Sequence, residues 1–307
     1  MKQCYVYKSF KPEHENKIAV INAIVEEYQA QGYNMTTRQI YYQLVARGYI
    51  ENTLQSYKRT ANLINDAKLA GLIDWDALED RTRNIITRAH WNGPASIVRA
   101  CANQYFEDHW QWQEWRVVVM IEKEALVGTL TDLCHRYDVP LLACRGYPSG
   151  TVLREPVHEH VMPHCAAGRN VLVLHLGDHD PSGIDMTRDL RERLDMFNEN
   201  YPGLELRRIA LNMEQIEDQD PPENPAKATD SRYAGYLAEF GDSSWELDAL
   251  QPAYLNSLVE DNIRDVIDDE LWDQKEAVIT EARSRLRSVA SDLENDETDN
   301  DETNTED

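Results

Sequence analysis

Bases are scarce in this 307-residue chain: 31 Lys and Arg stand against 55 Asp and Glu, a formal charge of −24. A surface this acidic repels phosphates on average, so any nucleic-acid contact has to be local. Cysteine is scarce as well. Cys4, Cys101, Cys134, Cys144 and Cys165 are odd in number and contain no CxxC pair, which fits reduced thiols rather than a disulfide framework and argues against a structural zinc site. Long apolar runs are missing: Val117 to Ile121 and Val171 to Leu176 are strand-sized, far below the ~20 residues that span a bilayer. The start, Met1-Lys2-Gln3-Cys4-Tyr5, has no apolar leader core, so a cytoplasmic protein without a membrane partner is expected. No GxxxxGK[ST] loop and no internal repeat is found.

What charge there is has an uneven distribution. Residues 291 to 307 hold nine acids and no base, a composition that predicts a disordered, solvated tail. Between Thr36 and Ala100 the balance reverses: nine bases (Arg38, Arg47, Lys58, Arg59, Lys68, Arg81, Arg83, Arg88, Arg99) against six acids (Glu51, Asp66, Asp74, Asp76, Glu79, Asp80) give +3. The abundance of carboxylates, with 22 Arg to 9 Lys, points to a high-salt host.

Apolar spacing predicts an amphipathic helix from Glu13 to Gly32, with Ile18, Ile21, Val25 and Tyr28 on one face. A second helix, capped by Thr36 or Thr37, ends at Gly48, and a third runs from Thr53 to Gly71. With Leu72-Ile73-Asp74-Trp75 behind them, these read as a helix-turn-helix with a small wing over residues 1–84. Its last helix would face DNA with Lys58, Arg59 and Lys68. A linker with connecting helices follows over 85–115.

From 116 to 212 strands and helices alternate: strands at Val117–Ile121, Val139–Cys144, Val171–Leu176 and Leu204–Leu211, helices at Ala125–Tyr137, Val152–Ala166 and Ile184–Phe197. Continuous apolar strands between helices predict an α/β domain whose four-stranded, mainly parallel sheet is covered on both faces. Asp220 to Pro225 reads as loop, and a long polar helix from about Asn256 to Ala290 closes a mostly helical extension over 213–290.

Ligands of an open parallel sheet gather at the carboxyl ends of its strands. Acids stand there: Glu122 after the first strand, Asp178 and Asp180 after the third, a donor set suited to a hard divalent cation. Upstream, Ile40, Tyr41, Leu44 and Val45 share a helix face, which makes Tyr41 a core residue and turns Tyr42 away from it. Arg38, one turn earlier, would hold a phosphate beside the Tyr42 phenol.

The motifs EKEA at 122–125, RGYPSG at 145–150 and GDHDPSGID at 177–185 resemble the Toprim domain of the topoisomerase VI A subunit and of its relative, the meiotic double-strand-break transesterase. RQIYYQL at 38–44 is similar to the Arg-x-Ile-Tyr-Tyr motif of that family's winged helix. The resemblance covers residues 36 to 210, in the family's order. It implies that Glu122, Asp178 and Asp180 bind Mg2+ and that Tyr42 attacks double-stranded DNA to leave a 5'-phosphotyrosyl link. It also implies a homodimer of the type IIB topoisomerase A-subunit kind, with a separate ATPase subunit for strand passage.

The likeness is imperfect in the second motif. Where the family has Gly-Lys-Gly-x-Pro-Asp, Arg145 takes the Lys position and Ser149 the Asp position, leaving Arg145 as a phosphate contact without the carboxylate. Glu124 and Asp185 are lesser candidates for metal ligands. His158, His160, His164 and Cys165 read as a solvated helix, and His179 as a turn residue. Trp245-Glu246-Leu247-Asp248-Ala249-Leu250 reads as packing without chemistry. Two alternatives stand beside the leading one: a stand-alone Toprim nuclease or break-forming protein of a virus, plasmid or defence system, and a non-catalytic DNA-binding protein.

Overall fold

The computed structural model describes residues 1–78 and 90–303. Arg81, Arg83 and Arg88, with Glu79 and Asp80, lie outside the described residues. The chain divides into two compact units, each made of two separate stretches: Met1–Arg83 with Val117–Arg264, and Asn84–Arg116 with Asp265–Asp307.

In the first unit, α1 (Pro12–Gln29), α2 (Thr37–Ala46) and α3 (Leu54–Leu69) follow the expected spacing. Thr36 is the cap of α2: its hydroxyl accepts from the Gln39 amide while the Gln39 side chain accepts from the Thr36 amide, so two orphan donors are satisfied reciprocally. Ile18, Ile21, Ile24, Val25, Ile40, Leu44, Ile64 and Ala67 form one buried core among the three helices. The expected wing is not seen as paired strands. Only single bridges, Cys4 with Ala70 and Met35 with Leu78, occur there among the described residues.

The sheet of this unit has four strands, β1 (Trp115–Ile121), β2 (Leu141–Ala143), β3 (Asn170–Leu176) and β4 (Leu204–Ala210), all parallel, in the order β2-β1-β3-β4. Register is set by pairs such as Val119 with Leu141 and Val173 with Leu206. Helices α5 (Val127–Arg136), α6 (Gly150–His160), α7 (Met162–Ala166) and α8 (Pro181–Phe197) connect the strands. Val118, Met120, Val171 and Val173 pack with Leu153, Val157, Leu190 and Leu194, while the alternate residues Val117, Val119, Ile121, Leu172 and Leu174 are buried on the opposite side. Both faces are therefore covered, as continuous apolar strands require.

One expected helix is broken. Val152–Ala166 divides at Val161 because Pro163 has no amide to continue the ladder, which gives α6 and α7. After β4 come α9 (Met213–Gln219) and α10 (Tyr233–Phe240). A two-residue antiparallel pair joins β5 (Asn224–Pro225), inside the expected loop, to β6 (Ser243–Ser244), and α11 (Pro252–Arg264) ends the unit.

In the second unit, residues 94–104 of the connecting segment form α4 (Pro94–Gln104), which packs on α12 (Asp269–Thr303). Helix continues through Thr303, into the stretch expected to be disordered. The long helix expected from Asn256 is thus two, and α12 starts afresh at the Asp268 carboxylate, which accepts from the Glu270 and Leu271 amides. Lys275 is buried here, its ammonium bonded to Glu107 at 2.6 Å and Gln111 at 2.8 Å and lying over the Trp112 ring.

Candidate functional site

Three stretches of the first unit meet beyond the carboxyl end of the sheet. β1 runs into Glu122-Lys123-Glu124 and β3 into Gly177-Asp178-His179-Asp180. The stretch from Trp245 returns beside the latter, with the His179 and Trp245 amides donating to each other's carbonyls at 2.9 Å. The Leu247 amide donates to Asp178 Oδ1 at 2.8 Å, and the Asp178 amide donates to Glu122 Oε2 at 2.9 Å.

Arg208, from β4, fixes the loop between β3 and α8. Its guanidinium donates to the carbonyls of Gly177, Asp178, Gly183 and Leu211 and to the Thr187 hydroxyl, at 2.7 to 3.1 Å. Gly183 is required at the start of α8, because a Cβ there would stand 2.2 Å from the Asp178 carbonyl.

The expected metal trio lies in one neighbourhood but does not converge. Asp180 Oδ1 caps α8, accepting from the Gly183 amide at 2.6 Å and the Ser182 hydroxyl at 2.9 Å. Asp178 Oδ2 is 2.9 Å from Lys123 Nζ. Among the described residues, no group of three or more His, Cys, Asp or Glu side chains could hold a metal ion as placed. The chemistry of the donor set still suits a divalent cation. Burial, with the charge of Asp180 adding, holds the Glu122 carboxyl above its usual range, and burial, with Glu122 and Glu246 adding, raises Asp178. Crowded, desolvated carboxylates of this kind are relieved by a cation.

On α2, the geometry departs from the helical reading. Tyr41 and Tyr42 are both buried, Tyr42 at 6% exposure, and neither joins the three-helix core. They pack edge-on with each other and against Tyr57 and Ala249, and the Tyr41 hydroxyl donates to Asn52 and to the Thr53 carbonyl. The Tyr42 hydroxyl accepts from Arg38 Nη2 at 3.5 Å, and the guanidinium carbon lies 5.7 Å from the ring centre. Burial first, then the charges of Asp248 and Glu246, push this phenol up to about 12 against the pull of Arg38 and Lys123.

The stretch read as packing, Trp245 to Leu250, supplies the link between α2 and the sheet. Arg38 Nε meets Asp248 Oδ2 and Arg38 Nη2 meets Glu246 Oε2, each at 2.7 Å. The same Glu246 oxygen is bonded to Lys123 Nζ, and Asp248 Oδ1 lies 3.4 Å from that ammonium. Two bases and two acids thus form a ring, with Asp178 attached at Lys123. Burial opposes the Lys123 charge, but Asp248, Asp178 and Glu246 outweigh it and raise its pKa.

The available signal in sequence was two acids, Glu246 and Asp248, set among Trp245, Leu247, Ala249 and Leu250; in the structure Glu246 precedes a single 3-10 turn, Leu247–Ala249, that carries Asp248. Nothing local in the sequence reveals that their partners lie more than a hundred residues upstream.

The remaining candidates stand apart. Arg145 is exposed and ion-paired with Glu124, while Asp185 is taken up by Arg188, Tyr147 and Arg232. Lys58 and Arg59 are exposed on α3 beside Gln55, Asn62 and Asn65. Lys68 instead lies 4.6 Å over the Trp75 ring. No protein-family model matches this chain, and no curated protein matches it.

Proposed function

We propose that this protein cleaves DNA by tyrosine transesterification, with Tyr42 as nucleophile and Arg38 as the phosphate-binding group. The observation that carries the reading is the continuous set of contacts from Tyr42 through Arg38, Glu246 and Asp248 to Lys123 and Asp178 within one compact unit. A guanidinium one helical turn from a phenol holds a phosphodiester within reach of Oη. Oη then bonds to phosphorus and the 3' oxygen leaves, the phenol giving up a proton and the 3' oxygen gaining one. One phosphodiester replaces another, so the step is near balance and reversible.

A phenol pushed up to about 12 is a weak nucleophile at rest. Placing it beside Arg38 and Lys123 lets their charges stabilise the anion as the proton departs. Glu122, Asp178 and Asp180 would hold Mg2+, which when bound supplies charge to the phosphoryl and leaving oxygens. Lys58 and Arg59 on α3, with Arg145, would hold the duplex backbone. One nucleophile per chain makes a homodimer the unit that breaks both strands. Strand passage would call on a separate ATPase subunit, since this sequence has no GxxxxGK[ST] loop.

The test is incubation with supercoiled plasmid and Mg2+, followed by denaturation with and without protease. Linear or nicked DNA that enters the gel only after protease, with blocked 5' ends, is expected. Tyr42→Phe should abolish this product while leaving DNA binding and circular dichroism unchanged; adducts that persist in this variant overturn the assignment.

A second reading, a DNA-binding protein without catalysis, is favoured by the burial of Tyr42 and by the partners that Asp178 and Asp180 already have. Mg2+ titration separates the two: binding that Asp178→Asn weakens supports the first reading, and no binding supports the second.

A further inference from the structure

The two acids of the ring are placed differently. The Asp248 side chain is 0% exposed, with one oxygen ion-paired to Arg38 Nε at 2.7 Å and the other 3.4 Å from Lys123 Nζ. The Glu246 side chain is 31% exposed and reaches both cations with the single oxygen Oε2. One oxygen shared between a guanidinium and an ammonium is the contact that a non-bridging phosphate oxygen makes. On Arg38, Nε and Nη2 are engaged by these acids, Nη2 also reaches Tyr42, and Nη1 has no protein partner among the described residues. The guanidinium is thus held on its inner edge while its outer side stays open to solvent at 44% exposure.

We propose that Glu246 to Asp248 is a phosphate-exchange element: Asp248 is a positioning residue that fixes Arg38 and Lys123, and Glu246 occupies the place on both cations that a DNA phosphodiester takes over. This rests on the phosphodiester chemistry proposed for Arg38 and Tyr42. It adds that the resting site carries its own anionic substitute, which the substrate displaces. An incoming phosphate must compete with a carboxylate already in contact with both charges, whereas without Asp248 the cations would be free to move away from Tyr42.

The two acids should therefore act with opposite sign, which a purely structural role would not produce. Binding of a fluorescein-labelled duplex is measured by anisotropy with the full chain, in EDTA and at fixed low salt. Glu246→Gln should tighten binding by about threefold or more, as removal of a competing charge implies. Asp248→Asn should weaken it. Arg38→Ala should weaken it too and cancel the gain from Glu246→Gln in the double variant. The exposed Glu26→Gln, which makes the same change in net charge on α1, should have a much smaller effect. The proposal is overturned if Glu246→Gln leaves affinity unchanged or lowers it, if its gain equals that of Glu26→Gln or survives in Arg38→Ala, or if neither the parent nor Glu246→Gln binds. Should Asp248→Asn lose its circular dichroism, the Glu246→Gln result decides alone. Covalent adducts are not read in this assay, so a protein that behaves as described here but forms none would sink the transesterase reading and leave the exchange element standing.

Discussion

Burial decides the protonation of several single residues. His175, the penultimate residue of β3, is fully buried, its Nδ1 3.0 Å from the Thr187 hydroxyl, and its Nε2 has no hydrogen-bond partner. Desolvation first, then the nearby charge of Arg208, lower its pKa to about 3. An imidazole in the unfolded chain titrates near ~6.5, so as pH falls below that value the unfolded state takes up a proton that the folded state refuses. The stability lost is about 2 kcal/mol by pH 5, following the difference between the two pKa values. Urea titrations at pH 7 and pH 5 should show this slope, reduced in His175→Gln; an identical slope in both proteins would contradict it. At this scale the sequence singled out Arg38, Tyr42, Glu122, Asp178 and Asp180 as candidates, which the structure places in one neighbourhood, and read Glu246 and Asp248 as packing. Motif residues announce themselves by type and spacing. An acid drawn into the site by the return of a distant segment does not.

Elements carry their own predictions. Asp180 caps α8, and its loss as a cap costs about 1 kcal/mol. Asp180→Ala should lower the urea midpoint accordingly, whereas Asp180→Asn, which can still accept from the Gly183 amide, should hold it. If Asp180 also contacts Mg2+, both variants should weaken Mg2+ binding, so the pair separates the two roles. In the second unit, Lys275 is buried among Glu107, Gln111 and Trp112. Lys275→Ala removes a buried side chain together with its contacts to Glu107, Gln111 and the Trp112 ring, and should destabilise the unit, read as an earlier thermal transition. The strands and most helices were legible because apolar spacing is a local signal. The break at Val161 was also written in the sequence, in Pro163, but the surrounding helical pattern masked it. The pairing of α4 with α12 had no local mark, because their contact joins stretches far apart in the chain, as in the bond from Arg99 to Glu294, 195 residues on.

Across the whole molecule the charge of −24 works against compactness. Raising KCl from about 0.1 M to about 1 M shortens the screening length from roughly 10 Å to roughly 3 Å. The melting temperature should therefore climb with KCl, and a flat profile would show that the excess acids repel one another too little to matter. No helix among the described residues is long and apolar enough to cross a membrane.

The second unit is assembled from the middle and the end of the chain, which fixes an order of events during synthesis. When α4 leaves the ribosome, the residues that will cover Ala95 and Ala102 have not yet been translated. All four strands, with α11 behind them, emerge before α12 does, so the sheet can close while α4 still waits. A nascent chain stalled just after Arg264 should hold a protected sheet and an α4 open to protease, and only the last forty-odd residues would bring α4 under cover.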